Sequence, residues 1–134
     1  MTGSTPGNPA PEQVDRFILD NIDSVPHLES LLLLWTGRPT CWTAAGLAGR
    51  LYVPAEVAQK ILQELAQREL IAVIPEIPAQ YCYQSKSEQL DRMMQAVDAT
   101  YRRELVRISN LIHSKASRAV REFAKAFRFT KEQD

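Results

Sequence analysis

TAAGLAGRLYVPAEVAQKILQELAQRELIAV, residues 43–73, holds two helical patterns separated by Tyr52-Val53-Pro54. Thr43 offers a side-chain acceptor that can cap a short helix of small residues over 43–51. A further helix is predicted from 55 to about 70. There Ala58, Leu62 and Leu65 recur at helical spacing, and so do Val57, Ile61 and Leu65. The two sets differ in which face turns inward, and the spacing leaves both registers open. Beyond this helix the apolar LIAVI, a PEIP break at 75–78 and the β-prone QYCYQ predict two short strands around a tight turn. Thr40-Cys41-Trp42, just before the quoted stretch, is long enough for a one-rung strand.

Working outward toward the N-terminus, Asp23 and Ser24 can accept a backbone N–H, and Pro26 fits only a first helical turn. A helix is therefore predicted from there through LESLLLLW to Thr36, with Gly37 and Pro39 ending it. Leu28 and Leu31 to Leu34 cannot share one stripe, which places this helix at the centre of the core. Before it, Pro11 suits a first helical position, and Val14, Phe17, Ile18 and Ile22 repeat at helical spacing. Residues 1–10 are small and polar without apolar periodicity, so a disordered tail is expected.

Toward the C-terminus, no proline or glycine interrupts a helical pattern from Ser87 to about Phe129, a length of roughly 60 Å if unbroken. Its apolar positions recur every eleven residues: Leu90, Tyr101, Ile112 and Phe123; Met94, Leu105, Ala116 and Phe127; Val97, Ile108 and Ala119. That period keeps a stripe nearly straight along a helix. So long a stripe needs a long partner, which predicts a homodimer through Leu90, Met94, Val97, Tyr101, Leu105, Ile108, Ile112 and Phe123. His113 to Ser117 is the expected point of any bend. The last segment sets Phe123, Phe127 and Phe129 against Arg118, Arg121, Lys125 and Arg128, a basic amphipathic helix read here as a packing helix with a solvated basic face.

The 134 residues suit one domain with an appendage, and 45% hydrophobic with 24% charged residues is a globular composition. Basic and acidic residues are sixteen each, yet residues 1–80 carry five cations against nine acids, a net of −4, and the remainder carry a net of +4. Bulk charge thus argues against electrostatically driven nucleic-acid binding, while the uneven distribution leaves local contacts open. The longest apolar run, Leu31 to Trp35, is far too short to cross a bilayer, and MTGSTPGNPAPEQ has neither a basic nor an apolar leader region. A cytoplasmic chain with no membrane partner is expected. Cys41, Cys82, His27 and His113 show no metal-ligand spacing, and no nucleophile–base pair, glycine-rich phosphate loop or carboxylate cluster is present. No catalytic residue, metal or cofactor is expected, and no enzyme.

The stretch at 43–73 resembles the reader segment of winged helix-turn-helix bacterial transcription regulators of the MarR class. Leu47-Ala48, Leu51, Val53, Ala58, Leu62, Leu65 and Leu70-Ile71 match their structural positions, and the likeness spans about residues 12–84. It implies a mainly α fold with a small β-wing: a winged helix-turn-helix domain over 11–85, a long dimerisation helix over 86–129 and a short tail at 130–134. It also implies a dimeric regulator that binds double-stranded DNA. The helix at 55–70 would be the recognition helix, and the DNA contacts would come from Thr43, Gln59 and Lys60, with Arg102, Arg103 and Arg107 on phosphates.

That face is poorly charged for the task. Glu56 would repel phosphates, Val57 and Ile61 would want an apolar partner, and the wing tip Pro75-Glu76-Ile77-Pro78 has no cation. The alternative is a winged-helix scaffold that meets a protein through Glu56, Val57 and Ile61. The resemblance further implies that the short strand before the reader pairs with the returning wing strand, bringing Cys41 near Cys82. A regulatory disulfide there would be tested by counting free thiols after mild oxidation.

Overall fold

The computed structural model describes residues 7–132, and at 119 and 127–132 the backbone alone. Of the tails expected at 1–10 and 130–134, residues 1–6 and 133–134 lie outside the described residues, as do the side chains of Phe127, Arg128 and Phe129, while 130–132 continue the last helix. Six helices and three strands follow in the order α1 (Pro11–Asn21), α2 (Val25–Thr36), β1 (Trp42–Thr43), α3 (Ala44–Leu51), α4 (Ala55–Gln67), β2 (Ala72–Ile74), β3 (Gln80–Cys82), α5 (Glu88–Arg103) and α6 (Leu105–Glu132).

Local chemistry sets the helix ends. The Ser24 hydroxyl caps α2 by accepting from the His27 N–H, Thr43 caps α3 by accepting from Gly46, and Ser87 caps α5 by accepting from Leu90. Each satisfies a donor that the first turn leaves without a helical partner. Neither α3 nor α4 ends on glycine. Tyr52 at φ 57° and Glu69 at φ 60° adopt the left-handed conformation there, where an L side chain is normally disfavoured.

The sheet order is β1-β3-β2, antiparallel throughout, with Trp42 opposite Tyr81 and Val73 opposite Tyr81 on the other side. The β2–β3 hairpin is the wing. It returns beside β1, and the Cys41 and Cys82 thiols meet there, both free. Burial, and then the hydrogen bond with Cys41, raises the Cys82 thiol to about 11. Because only the thiolate attacks, alkylation of Cys82 by iodoacetamide should keep accelerating up to about pH 11. A rate that levels off near pH 9 would contradict this environment.

One core runs through the molecule. Ile18 and Ile22 of α1, Leu28, Leu31 and Leu34 of α2, Leu47 of α3, and Leu62 and Leu65 of α4 meet Met94 and Val97 of α5 and Ile108 and Ile112 of α6. The central position of α2 is as the leucine run requires, with Leu33 packed at the edge of the core.

The C-terminal region departs from expectation in two ways. It is two helices, with the break at Glu104 (φ −130°, ψ 48°), while His113 to Ser117 continue α6 without interruption. At the break the Glu104 carboxylate takes a hydrogen bond from Arg107 Nε at 2.7 Å, and Arg107 reaches on to Asp15 of α1 at 2.8 and 3.2 Å. The bend lets α5 and α6 both press apolar faces onto α1, which one straight rod cannot do. Second, Met94, Val97, Tyr101, Ile108 and Ile112 are consumed by this chain's own core and are not available for a dimer contact. Of the expected dimer residues, Leu90 is half-buried, and Leu105 and Phe123 are exposed at 52% and 74%.

Two carboxylates brace this arrangement. The Asp91 carboxylate accepts from Ser85 and, at 2.7 Å, from the Tyr83 hydroxyl, and these bonds hold its pKa below the ordinary range. Burial pushes Asp23 up, but Lys115 of α6, at 3.2 Å, and Arg68, at 3.0 Å, outweigh it and bring it down. A depressed carboxylate contributes stability above its unfolded pKa and loses that contribution as pH falls through the folded value. Urea midpoints should therefore drop below about pH 4, and Asp91→Asn should flatten that drop. An unchanged acid limb in Asp91→Asn would remove this account of it.

Candidate nucleic-acid interface

The α3–turn–α4 unit and the wing together define one face. Thr43, Ala44 and Ala45 at the start of α3, Ala55, Glu56, Gln59, Lys60 and Gln63 of α4, and Pro78 and Ala79 of the wing line a groove of about 500 Å³. Its alanines keep the floor low. The amphipathic pattern of α4 forces this: Ala58, Ile61, Leu62 and Leu65 turn inward, so Glu56, Lys60 and Gln63 share the outward stripe.

The register question resolves as a mixture of the two patterns. Ile61 is 3% exposed and belongs to the core with Ala58, Leu62 and Leu65, whereas Val57 is 42% exposed. Ile61 is therefore removed from the residues expected to meet a protein partner, because its side chain packs inward and cannot reach one. Glu56 and Val57 remain on the surface.

The expected DNA contacts separate in the same way. The Thr43 hydroxyl is engaged as the α3 cap, at 3.1 Å from the Gly46 N–H. Gln59 donates its amide N–H to the hydroxyl of buried Tyr81 at 2.9 Å, which pins the side chain to the wing. Lys60 is exposed on the groove. Arg102, Arg103 and Arg107 do not line it. Arg107 is turned onto Asp15, and Arg103 borders a crevice with Pro9, Pro11 and Val14. Arg102 pairs with Asp98 beside a separate cleft of about 280 Å³ lined by Glu29, Leu32, Arg50 and Tyr101. Arg107 is drawn off by its ion pair with Asp15 of α1, while Arg102 and Arg103 end α5, before the Glu104 break. Gln63, exposed on the groove, was not among the expected contacts, although its place seven residues after Glu56 puts it on the same helix face.

The groove therefore offers one acid, one cation and two amides, with little net charge. At the wing tip Glu76 and fully exposed Ile77 add no cation. Duplex binding here would depend on hydrogen bonds at base edges more than on phosphate attraction.

Asp23, His27 and Glu64 bring their possible ligand atoms within 4.8 Å of one another. The existing contacts explain the cluster without an ion. His27 Nε2 lies 3.0 Å from Glu64, its Nδ1 lies 2.6 Å from Ser24 Oγ, and Asp23 is held between Arg68 and Lys115. Two cations on one ligand oppose a third, so the cluster acts as a clamp joining the α1–α2 loop, α4 and α6. No helix among the described residues is long and apolar enough to cross a membrane.

No protein-family model matches the chain, and no curated protein matches it. Solved structures do match over most of its length. One is a MarR family protein from Bacillus stearothermophilus, 18% identical, covering 91% of this chain and 83% of that one, with a TM-score of 0.50. A mutant of Lactococcus lactis ZitR in apo form is also 18% identical, covering 92% and 96% at a TM-score of 0.50. The heme sensor protein PefR from Streptococcus agalactiae, in complex with heme, is 13% identical, covering 86% and 84% at a TM-score of 0.50. The chain has the mainly helical winged helix-turn-helix fold of these MarR-type structures, with its small three-stranded sheet.

Proposed function

We propose that the protein is a dimeric winged-helix transcription regulator that binds duplex DNA through α4, with weak phosphate attraction. The observation that carries this reading is the exposed polar stripe of Glu56, Lys60 and Gln63 on the second helix of a helix-turn-helix, beside a groove floored by alanines. Small side chains permit the close approach that groove reading needs. Dimerisation is supported by the outer half of α6. Beyond Lys115 its described side chains are all exposed, and Phe123 continues the stripe that Ile108 and Ile112 begin in the core, with exposed Val120 flanking it.

Fluorescence anisotropy of a labelled duplex, titrated at low and moderate salt, tests this. Binding is expected with a shallow salt dependence, and Lys60→Ala should reduce the slope of log affinity against log salt by about one. Absence of binding even at low salt would defeat the proposal. Gln59→Ala should act through the wing, since its amide is held by Tyr81.

A second reading, docking of a protein beside the groove, is favoured by one observation. The exposed Val57 and Ile77 lie on the α4 and wing side, with Glu56 and Glu76 for company. Apolar side chains ringed by acids suit a partner segment that is apolar and basic.

A further inference from the structure

Among the described residues Lys60 is the one cation lining the groove, yet Glu56 stands one turn from it on the same face and Gln63 follows three residues later. An acid at a DNA-facing position weakens attraction to every phosphate, so its presence calls for something specific that it accepts. Resting on the DNA-binding reading above, we infer that Glu56 and Lys60 together read one C·G base pair and that Gln63 reads an A·T pair further along the groove.

The chemistry of the major-groove edges supports this match. Cytosine is the base whose only polar group there is a donor, the N4 amino group, and a carboxylate can only accept. Its paired guanine presents O6 and N7, both acceptors, and an ammonium can only donate. Glu56 and Lys60, four residues apart and adjacent on the helix, thus offer an acceptor and a donor complementary to the two halves of one pair. Reversal to G·C would exchange the two edges, and T·A would remove the N4 donor. Gln63 carries both a donor and an acceptor on one planar amide, which fits adenine N6 and N7 in a bidentate pair.

Spacing agrees with a compact element. Gln63 lies about 5 Å of helix rise beyond Lys60 and about 10 Å beyond Glu56, which places its pair about one to three base-pair steps from the one those two share. The second amide, Gln59, is withdrawn from competition because its N–H is bonded to Tyr81, so Gln63 is the amide left on the reading stripe. Ala44, Ala45 and Ala55 contribute methyl groups that can meet a thymine methyl without holding the helix off.

The test is selection from a pool of randomised duplexes with the full-length protein, followed by anisotropy on the selected duplex and its single-pair variants. The wild type is expected to select a C·G pair with an A·T pair within about three steps and to discriminate about tenfold or more at each. Glu56→Ala should weaken the preference at the C·G pair and bind the variant duplexes more tightly than the wild type does, because repulsion is relieved, and Glu56→Ala with Lys60→Ala should lose that preference. Gln63→Ala should lose only the A·T preference. These side chains are exposed, and matched melting temperatures would show that the variants fold. Wild-type binding with no base preference, or a Glu56→Ala, Lys60→Ala protein that selects the same pair as sharply, would overturn the inference and leave DNA binding standing. No binding to any duplex would overturn both.

Discussion

Val120→Asp with Phe123→Asp is expected to convert the protein to a monomer and to lower its affinity for a two-half-site duplex about 100-fold or more. The outer part of α6 is a helix with one apolar face, and beyond Lys115 none of its described side chains is buried. Val120 and Phe123 are 67% and 74% exposed, and Arg118, Arg121 and Lys125 lie on the opposite side. Free-standing helices of a few turns are marginal in water, so the segment gains its stability when that face is covered. A second copy of α6 supplies an identical stripe, and a two-fold dimer places two reading helices on successive half-sites. The changes touch no buried residue, so thermal stability of the separated subunit should be retained. Light scattering at micromolar concentration gives the mass directly. A wild-type protein already monomeric there, or a doubly substituted protein that stays dimeric, would contradict the proposed dimer.

The second large effect concerns the core under the reader. Leu62 is fully buried where α4 packs against α3 and α2. Leu62→Ala removes that packing and leaves a cavity that the surrounding helices cannot fully close. The expected cost is about 2–5 kcal/mol, a large fraction of the roughly 5–15 kcal/mol that holds a domain together. Melting should fall by about 10 °C or more. Val57→Ala, five residues earlier and half-exposed, should cost far less. Equal losses for the two would mean that α4 packs in the other register.

The same pair shows how far the sequence could be read. Periodicity established that 55–67 is an amphipathic helix, and the caps at Ser24, Thr43 and Ser87 were visible as side-chain acceptors before apolar runs. Periodicity could not choose between Val57 and Ile61, because a helix of 3.6 residues per turn puts both within reach of a buried face; contact with α2 and α3 decides. The break at Glu104 left no glycine or proline as a signal. Beside it Arg107 pairs with Asp15, far away in sequence, a contact that no local pattern announces. That long-range contact also draws Arg107 away from the reader, whereas Arg102 and Arg103 pair locally with Asp98 and Glu104. The eleven-residue stripe was real, but its first half closes the chain's own core, and a periodicity cannot tell a neighbour in the same chain from one in another.

At the reading face, residue types were legible and their commitments were not. Thr43 and Gln59 have the right chemistry for DNA and are engaged by Gly46 and Tyr81. Gln63 is not singled out by its type alone, and its helical spacing from Glu56 is the signal that places it on the groove.

The central claim, that this face reads duplex DNA, is most directly tested by nuclear magnetic resonance of isotopically labelled protein titrated with the selected duplex. The account predicts the largest amide shifts at Glu56, Lys60 and Gln63 and at the start of α3. Shifts confined to α5 and α6, or none at all, would contradict it.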